Sequence, residues 1–440
     1  MTPPARIQTG IELIEATEAS PAAPADAVVN AFFRAKRFIG GSDRRAIAER
    51  FWAMLRSEAR LRWALERAHA PITPRTRMLA QLLAEGLSPD AVAGLFSGAR
   101  RGPEPLTSGE RAALFRLAAL PAGEAPPDAV RFGIPEWLLP RLAARFGAEL
   151  EREMAAMDAP APTDLRANLL KATREEARAA LAAEGIATVP TRLSPWGLRV
   201  EGRRPITATA AFREGLVEIQ DEGSQLVALL TDARPGMRVI DLCAGAAGKT
   251  LALAATMGNR GRLVACDVNP GRLDAAVKRL RRAGVGNVER RLLAPGEKWT
   301  KRAAGGFDRV LVDAPCTGTG TWRRNPDARL RLRAEDLAEL VAKQASILDR
   351  GSRLVKPGGT LVYATCSVLV EENEAQVDAF RRRHPSFEIV PLAQAWAAVA
   401  QGAPPCEGPF LSLTPARHGT DGFFAAVLRR SGPALEGGAA

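Results

Sequence analysis

The chain has 440 residues, of which 46% are hydrophobic and 25% charged, a balance that excludes a disordered chain and points to two or three globular domains. No run approaches the roughly 18 apolar residues that cross a bilayer, and the opening MTPPARIQTG lacks the apolar core of a secretory signal, so a cytoplasmic protein without membrane contact is expected. A formal net charge of +12, mostly from Arg, points to nucleic acid as a polyanionic partner, with a solvated basic surface as the plainer alternative.

The first hundred residues read as helical. Gly40, Gly41 and Ser42 stop one segment, and the next places Ile47, Phe51, Met54 and Leu55 on one face at helical spacing. Further helices are expected over Pro24–Lys36, Pro74–Leu83, Pro89–Phe96 and Ser108–Ala119. The stretches Ala99–Pro105, Leu120–Pro127 and Asp158–Pro162 carry the Gly and Pro punctuation of loops. A compact α+β piece follows, with LRANLLK as a strand leading into the helix EEARAALAAEG, and ATVPTRL and GLRVEG as later strands.

From about Val217 strands and helices alternate. MRVIDL, RLVACD, NVERRLL, FDRVLVD and TLVYAT are the strands; KTLALAATM, GRLDAAVKRLRRAG and AEDLAELVAKQASILDRGSRLV are the helices. Such alternation predicts a doubly wound sheet whose ligands bind at the carboxyl ends of the strands. The expected division is 1–135, 136–222 and 223–440.

Small residues in Asp241-Leu-Cys-Ala-Gly-Ala-Ala-Gly-Lys-Thr250 allow the backbone to approach a ligand where a helix begins. The ending GKT suggests the phosphate loop of an ATPase, but that motif requires Gly at position 243, where this chain has Cys243. Asp267 closes the next strand, a place where an acidic residue commonly bonds a ribose; NAD and S-adenosylmethionine fit it equally. The five cysteines form no C-x-x-C pair and the three histidines are scattered, so neither a disulfide framework nor a metal site is expected. Two of them nevertheless stand at strand ends, in Asp313-Ala-Pro-Cys316 and Thr365-Cys366-Ser367. A lone cysteine is as often buried filler as a reactive group, but two on the ligand-binding edge of one sheet argue for chemistry.

The set DLCAGAAGKT, DAPCTGTGTWRRNPD and YATCSVLVEENE resembles the motifs of RNA (cytosine-5)-methyltransferases, the Fmu/Nop2 group. VEIQDEGSQL before the sheet and LTPARHGTDGFFAAVLRR near the end add to the likeness, which covers roughly residues 130–430. LRANLLK resembles the entry to the family's RNA-recognition-like module. RFIGGSDRRAIAERFWAMLR more weakly resembles the helical RNA-binding domain of the antitermination factor NusB, a fusion found in bacterial members acting on 16S ribosomal RNA. The resemblance implies three parts: an all-α NusB-like domain, a small α+β RNA-recognition-like module, and a Rossmann-like α/β methyltransferase domain, the whole a monomer.

The resemblance also implies roles. Cys366 would attack carbon 6 of cytosine, Asp313 would hold or protonate N3, and Cys316 would assist release. S-adenosylmethionine would sit against Cys243, Ala244, Gly245, Ala246, Ala247, Gly248 and Lys249, with Asp267 on the ribose and Asp313 nearby. DNA cytosine methyltransferases attack through a Pro-Cys thiol, which makes Cys316 the rival nucleophile; the Thr-Cys-Ser motif favours Cys366. The basic loop TWRRNPDARLRLR brings Arg323, Arg324, Arg329, Arg331 and Arg333 forward as phosphate clamps, with Trp322 for stacking. Two departures stand out. Ala246-Ala247 replaces the usual Pro-Gly, which predicts a looser turn, and Leu293-Ala294 stands where the family has an Asp for the adenine. That second departure is the one feature favouring a catalytically inactive ribosomal-RNA-binding factor.

Overall fold

Apolar residues recur at helical spacing through the first part of the chain, and there the computed structural model, which describes residues 1–121, 124–202, 204–294 and 298–432, forms helices and loops only. Residues 122 and 123, inside the Leu120–Pro127 break, lie outside the described residues. Contacts divide the chain into two units: Met1–Leu150 with Arg324–Arg333, and Glu151–Arg323 with Ala334–Ala440.

In the first unit the helix Gly41–Arg67 buries Ile47, Phe51, Met54, Leu61 and Leu65, while Leu55 stays half-exposed at the edge of that face. Gly40 is its N-cap, so the glycines open the long helix as much as they end the preceding one. The expected helices are present as Ala25–Ala35, Pro74–Ala84, Pro89–Leu95 and Ser108–Ala118. Reciprocal capping boxes at Thr73 and Thr107 satisfy backbone donors at two of their starts. An unanticipated helix, Pro3–Glu18, buries Ile7, Ile11 and Ile14 and is capped by Thr2. The distant helix Pro326–Arg331 belongs to this unit: Asp327 accepts from the Ala25 N–H at 3.1 Å, and Arg331 donates to the Ala23 carbonyl at 2.9 Å.

The second unit contains two sheets. The smaller is antiparallel, with β1 (Asp164–Ala167), β2 (Thr188–Pro190), β3 (Gly197–Val200) and β4 (Val217–Ile219) in the order β2-β3-β1-β4. The helix Arg174–Ala183, opened by a Thr173–Glu176 capping box, contributes Ala177 and Leu181 to a core with Leu165, Leu198 and Val217.

The larger sheet holds β5 (Arg238–Asp241), β6 (Arg262–Asp267), β7 (Val288–Leu292), β8 (Phe307–Asp313), β9 (Val355–Thr365), β10 (Phe387–Val390), β11 (Leu411–Leu413) and β12 (Phe423–Arg430). Its order is β10-β12-β9-β8-β5-β6-β7, with β11 paired to β12. β5 to β9 are parallel and β12 runs antiparallel to β9. The strand order reverses between β5 and β8, so the crevice for a ligand opens above those two strand ends. Among the described residues no helix is long and apolar enough to cross a membrane.

Beyond β8 the chain makes a 3₁₀ turn, Thr319–Thr321, that fits against the loop before β12. Gly320 donates to the Cys366 carbonyl at 2.9 Å and accepts from the Gly422 N–H at 2.8 Å. A Cβ on Gly320 would lie 2.3 Å from the Gly422 carbonyl oxygen, a backbone atom that cannot swing aside. Gly320→Ala is therefore expected to cost about 1–3 kcal/mol by overpacking. A thermal melt of the full chain should show the lowered midpoint, and an unchanged midpoint would mean the two loops have room to part.

Candidate active site

Four strands deliver side chains to one edge of the large sheet. β5 ends at Asp241, β6 at Asp267, β8 at Asp313 and β9 at Thr365. A cavity of about 630 Å³ opens there, within the size range of cofactor pockets. Its walls include Cys243, Ala244, Gly245, Lys249, Asp267, Asp313, Cys316 and Cys366, eight of the residues expected from the sequence. Ala246, Ala247 and Gly248 lie in the same turn, outside the set that lines the cavity.

That turn is held tightly. Ala247 is fully buried in the left-handed region at φ 65°, a conformation that costs a side chain about 1–2 kcal/mol. Its N–H bonds the Ala244 carbonyl at 2.8 Å. Arg279 donates to the Ala246 carbonyl at 2.7 Å and Arg166 to the Gly248 carbonyl at 2.9 Å. Two guanidinium groups thus grip the carbonyls on either side of Ala247, in the turn where Ala246-Ala247 stands in place of Pro-Gly. Burial lowers Arg166 to about 10, which leaves it charged at neutral pH.

Asp267 is buried, and its two oxygens accept from the N–H groups of Gly245 and Asn269, each at 2.8 Å. The carboxylate thus ties the end of β6 to the turn after β5. Leu293, where an Asp was expected by resemblance, is buried, lines the cavity and donates its N–H to the Asp267 carbonyl at 2.9 Å. Val268, 63% exposed, offers an apolar surface on the same wall. A carboxylate beside backbone amides and apolar side chains suits a ribose next to an adenine, so the residues present fit an aminoacyl nucleoside such as S-adenosylmethionine.

The two sulfurs meet. Cys316 Sγ and Cys366 Sγ are 3.4 Å apart, both half-buried. The Cys316 thiol is pushed well above its ordinary range, first by its hydrogen bond with Cys366, then by burial and by the charges of Cys366 and Glu372. Lys249 Nζ donates to Asp313 Oδ2 at 2.7 Å. Burial works against the Lys249 ammonium, but the charge and hydrogen bond of Asp313, with Cys366 beyond, outweigh it and raise its pKa. Burial pushes the neighbouring Asp241 carboxyl up to about 7, against the bond that Thr250 Oγ1 donates at 2.7 Å. Cys243 also borders the cavity, but burial raises its thiol far from the ionised form.

The basic loop is corrected by the structure. Arg323 is 5% exposed, paired with Asp421 and, at 3.2 Å, with Asp221. Arg329 is 1% exposed and bonds the Arg56 and Phe132 carbonyls of the helical unit at 2.8 and 3.4 Å. Both guanidinium groups are spent on the protein's own acceptors rather than presented to a phosphate. Trp322 is fully buried and offers no face for stacking. Arg324 is half-buried. Besides Lys249, the basic groups that do line the cavity are Arg272, Lys343 and Arg350. Lys343 and Arg350 stand seven residues apart on the helix Ala334–Leu354, with Ser346 and Ile347 between them on the same wall.

Sequence reasoning also missed Glu372, a fully buried carboxylate that accepts from Thr317 N–H and Gln344 Nε2, each at 2.9 Å. The acidic pair following Thr-Cys-Ser was its only sequence signal.

Residues 228–429 match the family described as 16S rRNA methyltransferase RsmB/F, and residues 134–207 match the ferredoxin-like domain of RsmF/B-like methyltransferases. A probable ribosomal RNA small subunit methyltransferase B from Synechocystis is 34% identical over 306 residues, 68% of each chain. Ribosomal RNA small subunit methyltransferase B from Salmonella arizonae is 31% identical over 405 residues, 89% of this chain and 91% of that one. The crystal structure of a protein designated PH0851 superposes with a TM-score of 0.78 at 26% identity, over 98% of this chain and 99% of that one. Matched in sequence along most of its length, this chain belongs to the RsmB/F family of 16S rRNA methyltransferases, whose methyl donor is S-adenosylmethionine.

Proposed function

We propose that the chain methylates carbon 5 of a cytosine in 16S ribosomal RNA through a covalent bond between Cys366 and carbon 6 of the base. The observation that carries this reading is the pair of thiols 3.4 Å apart beside the Lys249–Asp313 ion pair in one cavity. Carbon 5 of cytosine is a weak nucleophile. Addition of the Cys366 sulfur at carbon 6 turns it into an enamine carbon, and the proton given up by the thiol ends on N3, in the charge of Asp313. Lys249 keeps that carboxylate aimed and offsets its charge. When bound, S-adenosylmethionine supplies an electrophilic methyl group. Cys316, deprotonated only once Cys366 is bonded to carbon, then takes the proton on carbon 5, and N3 returns its proton to Asp313. The ring electrons re-form the double bond and expel the Cys366 thiolate.

For the donor, Asp267 would take the ribose, the backbone from Cys243 to Gly245 the aminoacyl end, and Val268 with Leu293 the adenine faces. The target base must leave its stack to reach two sulfurs at the floor of a cavity, so a single-stranded or opened site is implied. Lys343 and Arg350 are the wall residues suited to its phosphates, and Arg324 remains a candidate. The helical unit is proposed to serve as a NusB-like RNA-binding domain. A binding factor without catalysis would leave two adjoining thiols and a cofactor cavity without a purpose.

Cys366→Ala is expected to reduce methyl transfer to RNA by on the order of 10⁴-fold or more, as loss of a covalent nucleophile does. Methylation near the wild-type rate would refute the assignment. Cys316→Ala should trap the adduct, seen as a protein–RNA band that survives denaturant and disappears with protease. Asp267→Ala should weaken binding of S-adenosylmethionine about 10–100-fold in calorimetry, the worth of charged hydrogen bonds of about 1.5–3 kcal/mol. No donor binding by the unaltered chain would favour the inactive binding factor.

A further inference from the structure

Glu372 lies in the 3₁₀ turn Val370–Glu372 that follows β9 and the Cys366 loop, with 0% of its surface exposed. One oxygen accepts from the Thr317 N–H and from Gln344 Nε2, each at 2.9 Å. The other accepts from Thr317 Oγ1 at 2.5 Å. Gln344 also donates to the Pro315 carbonyl at 3.0 Å, so the carboxylate is anchored on both sides of Cys316. Among the described residues it has no cationic partner within ion-pairing distance, although buried carboxylates are ordinarily paired.

Hydrogen bonding alone does not call for Glu at this position. A Gln would accept the same two N–H bonds and donate to Thr317 Oγ1, whose own proton could turn to Ser367 Oγ at 3.3 Å. What only Glu supplies is charge, at a place where two sulfurs 3.4 Å apart compete for one proton. The surroundings of the pair are lopsided. The charge of Glu372 acts against a thiolate at Cys316, which a backbone bond from Gly318 favours, while the Lys249 ammonium, bonded to Asp313, is coupled to Cys366. Lys343 and Arg350 line the same cavity from its helix wall.

We propose that Glu372 is a positioning residue whose fixed negative charge keeps Cys316 in its thiol form, so that Cys366 is the sulfur that ionises and attacks. This selection rests on the covalent reading above and extends it to the choice between the two thiols. It is consistent with the upward displacement of Cys316, to which Glu372 contributes alongside Cys366 and burial.

The test is competitive alkylation of the full-length chain without RNA or methyl donor. With limiting iodoacetamide at pH 8, peptide mass spectrometry reads the ratio of label on Cys366 to label on Cys316. The unaltered chain should favour Cys366 strongly. Glu372→Gln should move the ratio on the order of tenfold toward Cys316, as loss of a nearby opposing charge does. Thr317→Val, which removes a hydrogen bond and keeps the charge, should leave the ratio as it was. An unchanged ratio in a Glu372→Gln chain with a native melting profile would overturn the proposal. Should that variant fail to fold, the rate of iodoacetamide labelling at the Cys316 peptide of Cys366→Ala, followed by mass spectrometry across a pH series, reads Cys316 apart from the other three cysteines. Ionisation above the ordinary thiol range supports the proposal, and ionisation at or below that range overturns it. Neither readout needs methylation, so a chain that shows the labelling asymmetry yet methylates no cytosine would sink the functional reading while sparing this one.

Discussion

Parallel pairing of β8 with β9 is the constraint from which the site follows. Asp313 stands opposite Ala364, and the ladder continues one step further as the Ala314 N–H meets the Ala364 carbonyl at 2.8 Å. Both chains therefore leave the sheet at the same edge, where Cys316 and Cys366 reach each other. An antiparallel pair would have sent the two loops to opposite ends. The loops are then locked: Ser367 Oγ meets Thr319 Oγ1 at 3.0 Å, Asn373 Nδ2 donates to the Ser367 carbonyl at 2.9 Å, and Thr365 Oγ1 donates to Asn373 Oδ1 at 2.6 Å. Such a buried polar network is costly unless fully satisfied, and when satisfied it specifies a single arrangement. The same network holds the two sulfurs within hydrogen-bonding distance of each other.

The turn after β5 depends on a different support. Its left-handed Ala247 is retained because the carbonyls around it are gripped from outside the large sheet. Arg166 comes from β1 of the small antiparallel sheet, and Glu218 of β4 pairs with Arg279 at 3.3 Å and Arg282 at 2.6 Å. Asn168 donates to the Gly215 and Ala283 carbonyls, both at 2.8 Å. The small antiparallel sheet is thus built into the mounting of the turn after β5.

Where burial follows from local pattern, the sequence was legible. RLVACD and FDRVLVD coincide with β6 and β8, since strands covered on both faces read as continuous apolar runs. β10 and β11 are four and three residues long, with polar residues interleaved, and no period emerges from so few positions. The helix Pro3–Glu18 carries Gly10 in mid-course, a residue that argues against a helix until packing is known; a Cβ there would come within 3.0 Å of Met78. Charge was the least legible property. Arg323 and Glu372 look like solvated residues in linear order, and the partners that bury Arg323, Asp221 and Asp421, lie about a hundred residues away on either side. The basic character of the loop was read correctly and its direction was not.

Charge also bears on how the site can run its chemistry. The positive charge of a sulfonium donor disappears as its methyl group moves, so an anion-rich wall would hold the ground state more firmly than the transition state. Three acidic side chains end strands at this edge, which would seem to create that wall. Each is tempered differently. Lys249 neutralises Asp313, burial keeps Asp241 near half-protonated at neutral pH, and Asp267 directs both oxygens to backbone N–H groups. The remaining anion, Glu372, is attached to the Cys316 loop rather than to a cavity wall, and its effect is felt by the thiol. The acidic strand ends thereby leave little net charge on the cavity wall, the distribution that suits a donor whose positive charge is lost as its methyl group moves.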